Sequence, residues 1–212
     1  MKAFSNLLSD LILTSSRNRK LSLLAEYFSS TPDPDRGYAL AALTGSFNFK
    51  NIKGSFFKEL IKEKKDEYLF DLSYDYVGDL AETVSLLWDQ KKDGNMPRLS
   101  SLFERLTKSK NEELKSDVID ILDMSTSDQR WAFIKLFTGG LRIGVSSRIV
   151  KQALANYGDV DLEQIEKIWH GLQLPYINLF AWLEKKGPKP KISIYDVFHP
   201  MMLAHPLVME KD

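Results

Sequence analysis

Apolar positions along the chain recur at helical spacing almost from end to end. Phe4, Leu7, Leu8, Leu11 and Ile12 follow an i, i+3, i+4 pattern, and Leu21, Leu24, Tyr27 and Phe28 repeat it. Thr14-Ser15-Ser16 supplies hydroxyl N-caps for the second of these helices. Thr31-Pro32-Asp33-Pro34-Asp35 predicts a turn, with Pro34 suited to the first position of a helix ending at Gly45. Helical patterns continue over 53–65, 66–73, 79–90, 98–109, 111–123, 127–137, 145–156, 161–169 and 176–186. The one candidate strand is Ile192-Ser193-Ile194-Tyr195. Loops are short and carry Gly, Asp, Asn or Pro, and no fixed-period repeat appears. These features predict an all-α, irregular multi-helix domain over 1–186. Lys185-Lys186-Gly187-Pro188-Lys189-Pro190-Lys191 breaks the helical pattern. Residues 187–212 are expected to be a linker and the start of a further domain.

Composition adds few constraints. The 212 residues are enough for a real core, and no apolar run is long enough for a bilayer-spanning helix. Cysteine is absent, which excludes disulfides and thiolate metal sites and permits a cytoplasmic location. The 29 basic and 29 acidic residues balance, without the basic excess usual in nucleic-acid binding. Charge is nevertheless polarised. Arg130, Lys135, Arg142, Arg148 and Lys151 fill a stretch without acids. Asp66, Glu67, Asp71, Asp75, Asp79, Glu82 and Asp89 fill a stretch without bases. Clustering rather than the sum sets the local field. Two solvated helix faces explain the same pattern.

The most informative segment is Lys135-Leu136-Phe137-Thr138-Gly139-Gly140-Leu141-Arg142-Ile143-Gly144-Val145-Ser146-Ser147-Arg148. A helix ends at the paired glycines and another begins near Val145. Glycines admit close approach and positive φ, and a helix N-terminus offers unpaired N–H groups and partial positive charge. Together they suit a phosphate. Arg142, Arg148, Ser146 and Ser147 are placed to assist. Gly139 and Gly140 equally fit a helix C-cap pair, and Gly144 a tight turn.

Thr138-Gly139-Gly140-Leu141-Arg142-Ile143-Gly144 resembles a loop late in the helical DNA-binding domain of ATP-dependent DNA ligases. Three further stretches agree in order and spacing: Thr14 to Leu21, which resembles the start of the domain's second helix in bacterial members, Tyr74 to Glu82, which resembles the family's mid-domain Gly-Asp turn, and Pro200-Met201-Met202-Leu203-Ala204-His205-Pro206, which resembles the opening of the adenylation domain. Trp169-His170-Gly171-Leu172 and Phe180-Ala181-Trp182-Leu183 also fit. The resemblance covers essentially the whole chain.

It implies a domain that grips nicked duplex DNA in the minor groove, while adenylation and OB domains of the same parent chain seal the nick using ATP and Mg. The expected DNA contacts are Thr138, Gly139, Gly140, Arg142, Gly144, Ser146, Ser147 and Arg148, followed by Gly78, Asp79, Ser16 and Arg17. No cofactor, metal site or catalytic residue is expected within this fragment, which should be inactive alone. The implied location is cytoplasmic, with the nucleoid. Lys91-Lys92-Asp93-Gly94 matches the first four positions of the nucleotidyltransferase K-x-D-G-x-R signature, but Met96 stands where Arg is required. Lys91 is therefore read as a solvated loop residue. His170, His199 and His205 are too scattered for zinc, and Trp88, Trp131, Trp169 and Trp182 read as core. The rival readings are an all-helical protein-interaction module without DNA affinity, in which the glycine loop is a turn, and a self-sufficient nucleotidyltransferase using Lys91, against which the all-helical pattern speaks.

Overall fold

A computed structural model describes residues 1–46, 52–91, 96–138 and 141–191. Twelve helices run through them, and no strand occurs among the described residues. They are α1 (Lys2–Leu13), α2 (Arg17–Ser30), α3 (Asp35–Thr44), α4 (Gly54–Lys64), α5 (Glu67–Val77) and α6 (Leu80–Leu87), followed by α7 (Leu99–Lys108), α8 (Asn111–Met124), α9 (Ser127–Phe137), α10 (Ser147–Gly158), α11 (Leu162–Trp169) and α12 (Ile177–Leu183). The predicted all-α fold is the observed one. The candidate strand at 192–195 and the Pro200–Pro206 segment lie outside the described residues.

Local chemistry sets where helices begin. Ser16, Asp66, Asp79, Thr126 and Ser146 each accept a backbone N–H as the N-cap of α2, α5, α6, α9 and α10. Thr126 and Gln129 complete a reciprocal capping box. Gly45 and Gly78 close α3 and α5 at φ +70° and +73°, a region that penalises a Cβ. Pro34 sits one residue earlier than expected, as the N-cap of α3. Helix α10 starts at Ser147 rather than near Val145, because Ser146 captures the Ile149 amide.

Helix α1 packs on α2 and on α9, linking two groups of helices. On one side α10 lies against α2, α3, α11 and α12; on the other α6 joins α9, α5 and α4. Phe4, Leu8 and Leu11 of α1 are fully buried between them. Phe28 meets Phe180 at 5.6 Å between ring centres, and Phe133 meets Phe137 at 5.0 Å. Each such buried side chain contributes about 2 kcal/mol. Trp88 is buried and donates to Asp123 at 2.8 Å, while Trp131, Trp169 and Trp182 pack half-buried against the core.

Past α12 the basic segment turns back. The Lys186 and Gly187 amides donate to the Ala181 carbonyl, and the Lys189 ammonium lies 5.3 Å from the Trp182 ring centre. None of the helices among the described residues is long and apolar enough to cross a membrane.

Candidate nucleic-acid interface

The start of α4, the α5–α6 turn and the end of α9 with its following loop enclose a cleft of about 370 Å³. Gly78, Asp79, Thr138 and Arg142 line it together. Residues from two separate sequence segments thus meet at one cleft. Gly54, Ser55 and Lys58 line the opposite wall and were missed. Helix α4 opens at Lys53 without a side-chain cap among the described residues. Lys58 lies 4.3 Å above the Tyr74 ring, which holds its ammonium at the cleft. The signal for this wall was the Lys53-Gly54-Ser55 start of an amphipathic helix, which looked like any other helix beginning.

Asp79 braces the turn. Its side chain accepts the Glu82 amide at 3.0 Å, its carbonyl accepts the Thr83 hydroxyl at 2.8 Å, and its carboxylate pairs with Lys135. Partial burial pushes the carboxyl pKa up, but hydrogen bonds from Lys135 and the Glu82 amide outweigh this and hold it below the usual range. The pair also neutralises Lys135 inside the cleft. Arg142 and Lys58 remain there without a carboxylate partner among the described residues.

The second half of the surface lies beyond Arg142. Arg142 and Gly144 adopt φ +49° and +66°, while Ile143 between them is buried and anchors the loop. Ser146 caps α10, Ser147 is half-buried and Arg148 is exposed. Arg148 stands at the second helical position, closer to the N-terminus of α10 than expected. The Ser146 and Ser16 hydroxyls accept from their own helices, which leaves each O–H as a donor. Helices α2 and α10 pack together, and Lys20 in the first turn of α2 donates to the Gly144 carbonyl at 2.7 Å. Ser16 and Arg17 thereby belong to the same structural unit as the glycine loop, and both are exposed. Gly139 and Gly140 lie outside the described residues.

The N-terminal ends of three helices, α2, α4 and α10, are therefore brought to the loop that carries Arg142 and Gly144, whereas the N-terminus of α6 is already answered by the Asp79 carboxylate. Each end carries a partial positive charge worth about 0.3–1 kcal/mol toward an anion. The basic stretch itself is less exposed than its composition suggested. Arg130 is buried and donates to the carbonyls of Ser125, Ser85 and Trp88, joining the ends of α8 and α6. Lys151 lies over Trp169 at 4.8 Å. The acidic stretch is partly neutralised by α4, where Lys62 pairs with Glu67 and Asp71, and Lys65 with Asp89.

Two other candidates occupy ordinary places. Lys91 is exposed and its amide donates to the Asp123 carbonyl, whereas residues 92–94 lie outside the described residues. His170 is the exposed C-cap of α11. Among the described residues no group of three or more His, Asp or Glu side chains is arranged to hold a metal.

The family model for the DNA ligase N terminus matches residues 1–155, from α1 into α10. No curated protein matches the chain. The matched stretch includes every residue assigned above to the cleft and the glycine loop. The chain belongs to the DNA ligase N-terminus family and contains an N-terminal domain of an ATP-dependent DNA ligase.

Proposed function

We propose that this domain holds nicked duplex DNA by backbone and minor-groove contacts, so that adenylation and OB domains of the same parent chain can close on the nick. The observation that carries this reading is the meeting of the N-termini of α2, α4 and α10 with Arg142, Arg148 and Lys58. Amide dipoles and guanidinium groups suit phosphate oxygens. Such contacts position a duplex without reading bases, as an enzyme that seals nicks in any sequence requires. ATP and Mg belong to the chemistry of the parent enzyme, and nothing in the helical fragment is assigned a catalytic step. Residues 187–212 serve as the linker and entry to the adenylation domain. The protein works in the cytoplasm, at the nucleoid.

The test is the Arg142→Ala, Arg148→Ala double variant, compared with the parent chain for binding a labelled nicked duplex. Weakened binding with an unchanged melting temperature supports the reading. Unchanged affinity in the folded double variant removes the loop from the interface.

A second reading has its own observation. Tyr68, Leu72 and Tyr76 are 73%, 52% and 93% exposed along one side of α5. An apolar stripe of this kind fits a protein partner, and a domain without salt-dependent DNA affinity would favour that reading.

A further inference from the structure

Lys20 differs from its neighbours. Arg17, Asn18 and Arg19 are exposed, but Lys20 is buried to 8% exposure and directed at the glycine loop. Among the described residues its hydrogen-bond acceptor is the Gly144 carbonyl, at 2.7 Å. The side chain is therefore held along the fold with a backbone carbonyl, not a carboxylate, at its end.

The geometry of the peptide group gives that contact a consequence for the loop. In a trans peptide the C=O and the next N–H point in opposite directions. Holding the Gly144 carbonyl toward α2 turns the Val145 amide away from α2. That amide immediately precedes Ser146 and the N-terminus of α10. The two left-handed residues, Arg142 and Gly144, flank the buried Ile143, so the loop is anchored inward just before that peptide. A Cβ at position 144 would lie 2.7 Å from the Lys20 ammonium nitrogen, and the φ of +66° there favours glycine.

We propose that Lys20 is a positioning residue: it fixes the Gly144 peptide so that the Val145 amide and Arg142 meet a DNA phosphate, without touching the DNA itself. The proposal rests on the DNA-holding reading for its ligand, and on the loop geometry alone for its effect on the protein. A lysine beside a DNA-binding loop would ordinarily be assigned to phosphate. The two roles differ in their salt signature, because a phosphate contact releases counterions and an internal brace does not.

The test uses the full chain with Lys20→Met, which keeps most of the stem, and Lys20→Arg, which keeps the charge. Affinity for a nicked duplex is measured across salt concentrations, alongside amide hydrogen exchange over residues 141–146. For Lys20→Met the expected result is roughly a tenfold loss of affinity, the size of one charge-assisted hydrogen bond. The slope of log affinity against log salt stays unchanged. Exchange in the loop accelerates while α2 and α10 keep their protection, and Lys20→Arg restores part of that protection. A slope reduced by about 0.9 would show direct phosphate contact and overturn the proposal. Unchanged affinity and exchange would overturn it as well. If Lys20→Met does not fold, Lys20→Ala removes the same donor and should reproduce the accelerated exchange; unaltered exchange there counts against the brace. Absence of binding by the parent chain would sink the DNA-holding reading, while exchange still decides whether Lys20 orders the loop.

Discussion

Asp79 and Lys135 are 56 residues apart in sequence and joined by an ion pair across the floor of the cleft. The carboxylate belongs to the N-cap of α6 and the ammonium to the last turn of α9, so one contact fixes both the Gly78 turn and the helix leading to the glycine loop. Asp79→Asn keeps the capping oxygen and removes the charge; Asp79→Ala removes both. Thermal denaturation should show Asp79→Ala less stable than Asp79→Asn by about 1 kcal/mol, the value of the cap. Because the folded carboxyl is held below its ordinary range, its contribution is present at neutral pH and lost as pH falls through that lowered value. Equal stability of the two variants would show that the cap contributes nothing.

Arg130 provides the contrast to Arg142 and Arg148. All three belong to the same basic stretch, but Arg130 is turned inward on three carbonyls. Burial lowers its pKa against the raising effect of Asp123 and Asp89, although a guanidinium remains charged throughout. Arg130→Met should destabilise the fold by roughly 2–3 kcal/mol, since it leaves buried acceptors unanswered. Chemical denaturation measures that loss. The salt slope of DNA binding should not change in the folded variant, whereas the Arg142, Arg148 double variant should lose about 1.8 from it, 0.9 for each phosphate.

The same pair of residues shows what was legible in the sequence. Helix periodicity, capping residues and glycine ends are local signals, and they placed the twelve helices found among the described residues. The turns at Gly78-Asp79 and around Gly144 were visible as glycine next to capping residues. What could not be read was which charge pointed where. Arg130 and Arg142 look alike in sequence, and only the crossing of α6 and α9 turns one inward. Lys20 follows two exposed cations, and its burial depends on α10, more than a hundred residues later. Gly54, Ser55 and Lys58 joined the cleft because α4 packs on α6, which no local pattern encodes. The distinction between helix existence and helix packing therefore separates what was read from what was missed.

Arg36 ties α3 to the end of α12. It is buried, donates to Asp33 at 2.7 Å, pairs with Glu184 and lies 4.2 Å from the Phe180 ring centre. Hydrogen bonding from Arg36, then from Lys186, brings the Glu184 carboxyl down from 4.5 to about 2. A depressed carboxyl stabilises the fold above its unfolded pKa and loses that contribution as pH falls toward the folded value. Glu184→Gln should therefore lower stability at neutral pH by roughly 3 kcal/mol, since it leaves part of a buried charge unpaired. It should also flatten the loss of stability between pH 4.5 and about 2. Denaturant midpoints across that range check both; an unaltered pH profile would contradict the assignment.

Gly37 tests the packing of α3 independently of charge. A Cβ there would stand 1.7 Å from the Pro175 carbonyl oxygen and 2.6 Å from its carbon. Both are backbone atoms, so neither can swing aside. Gly37→Ala should cost about 3 kcal/mol, at the upper end of overpacking. Urea denaturation gives the value, and a loss under 1 kcal/mol would mean that the α3 contact with the 172–176 loop yields freely.

The most direct test of the central claim is fluorescence anisotropy of a labelled nicked duplex titrated with this chain at several salt concentrations. The account predicts binding that weakens linearly in log affinity against log salt, with a slope of about −0.9 for each phosphate engaged. No binding at low salt by the folded chain, or binding indifferent to salt, would contradict it.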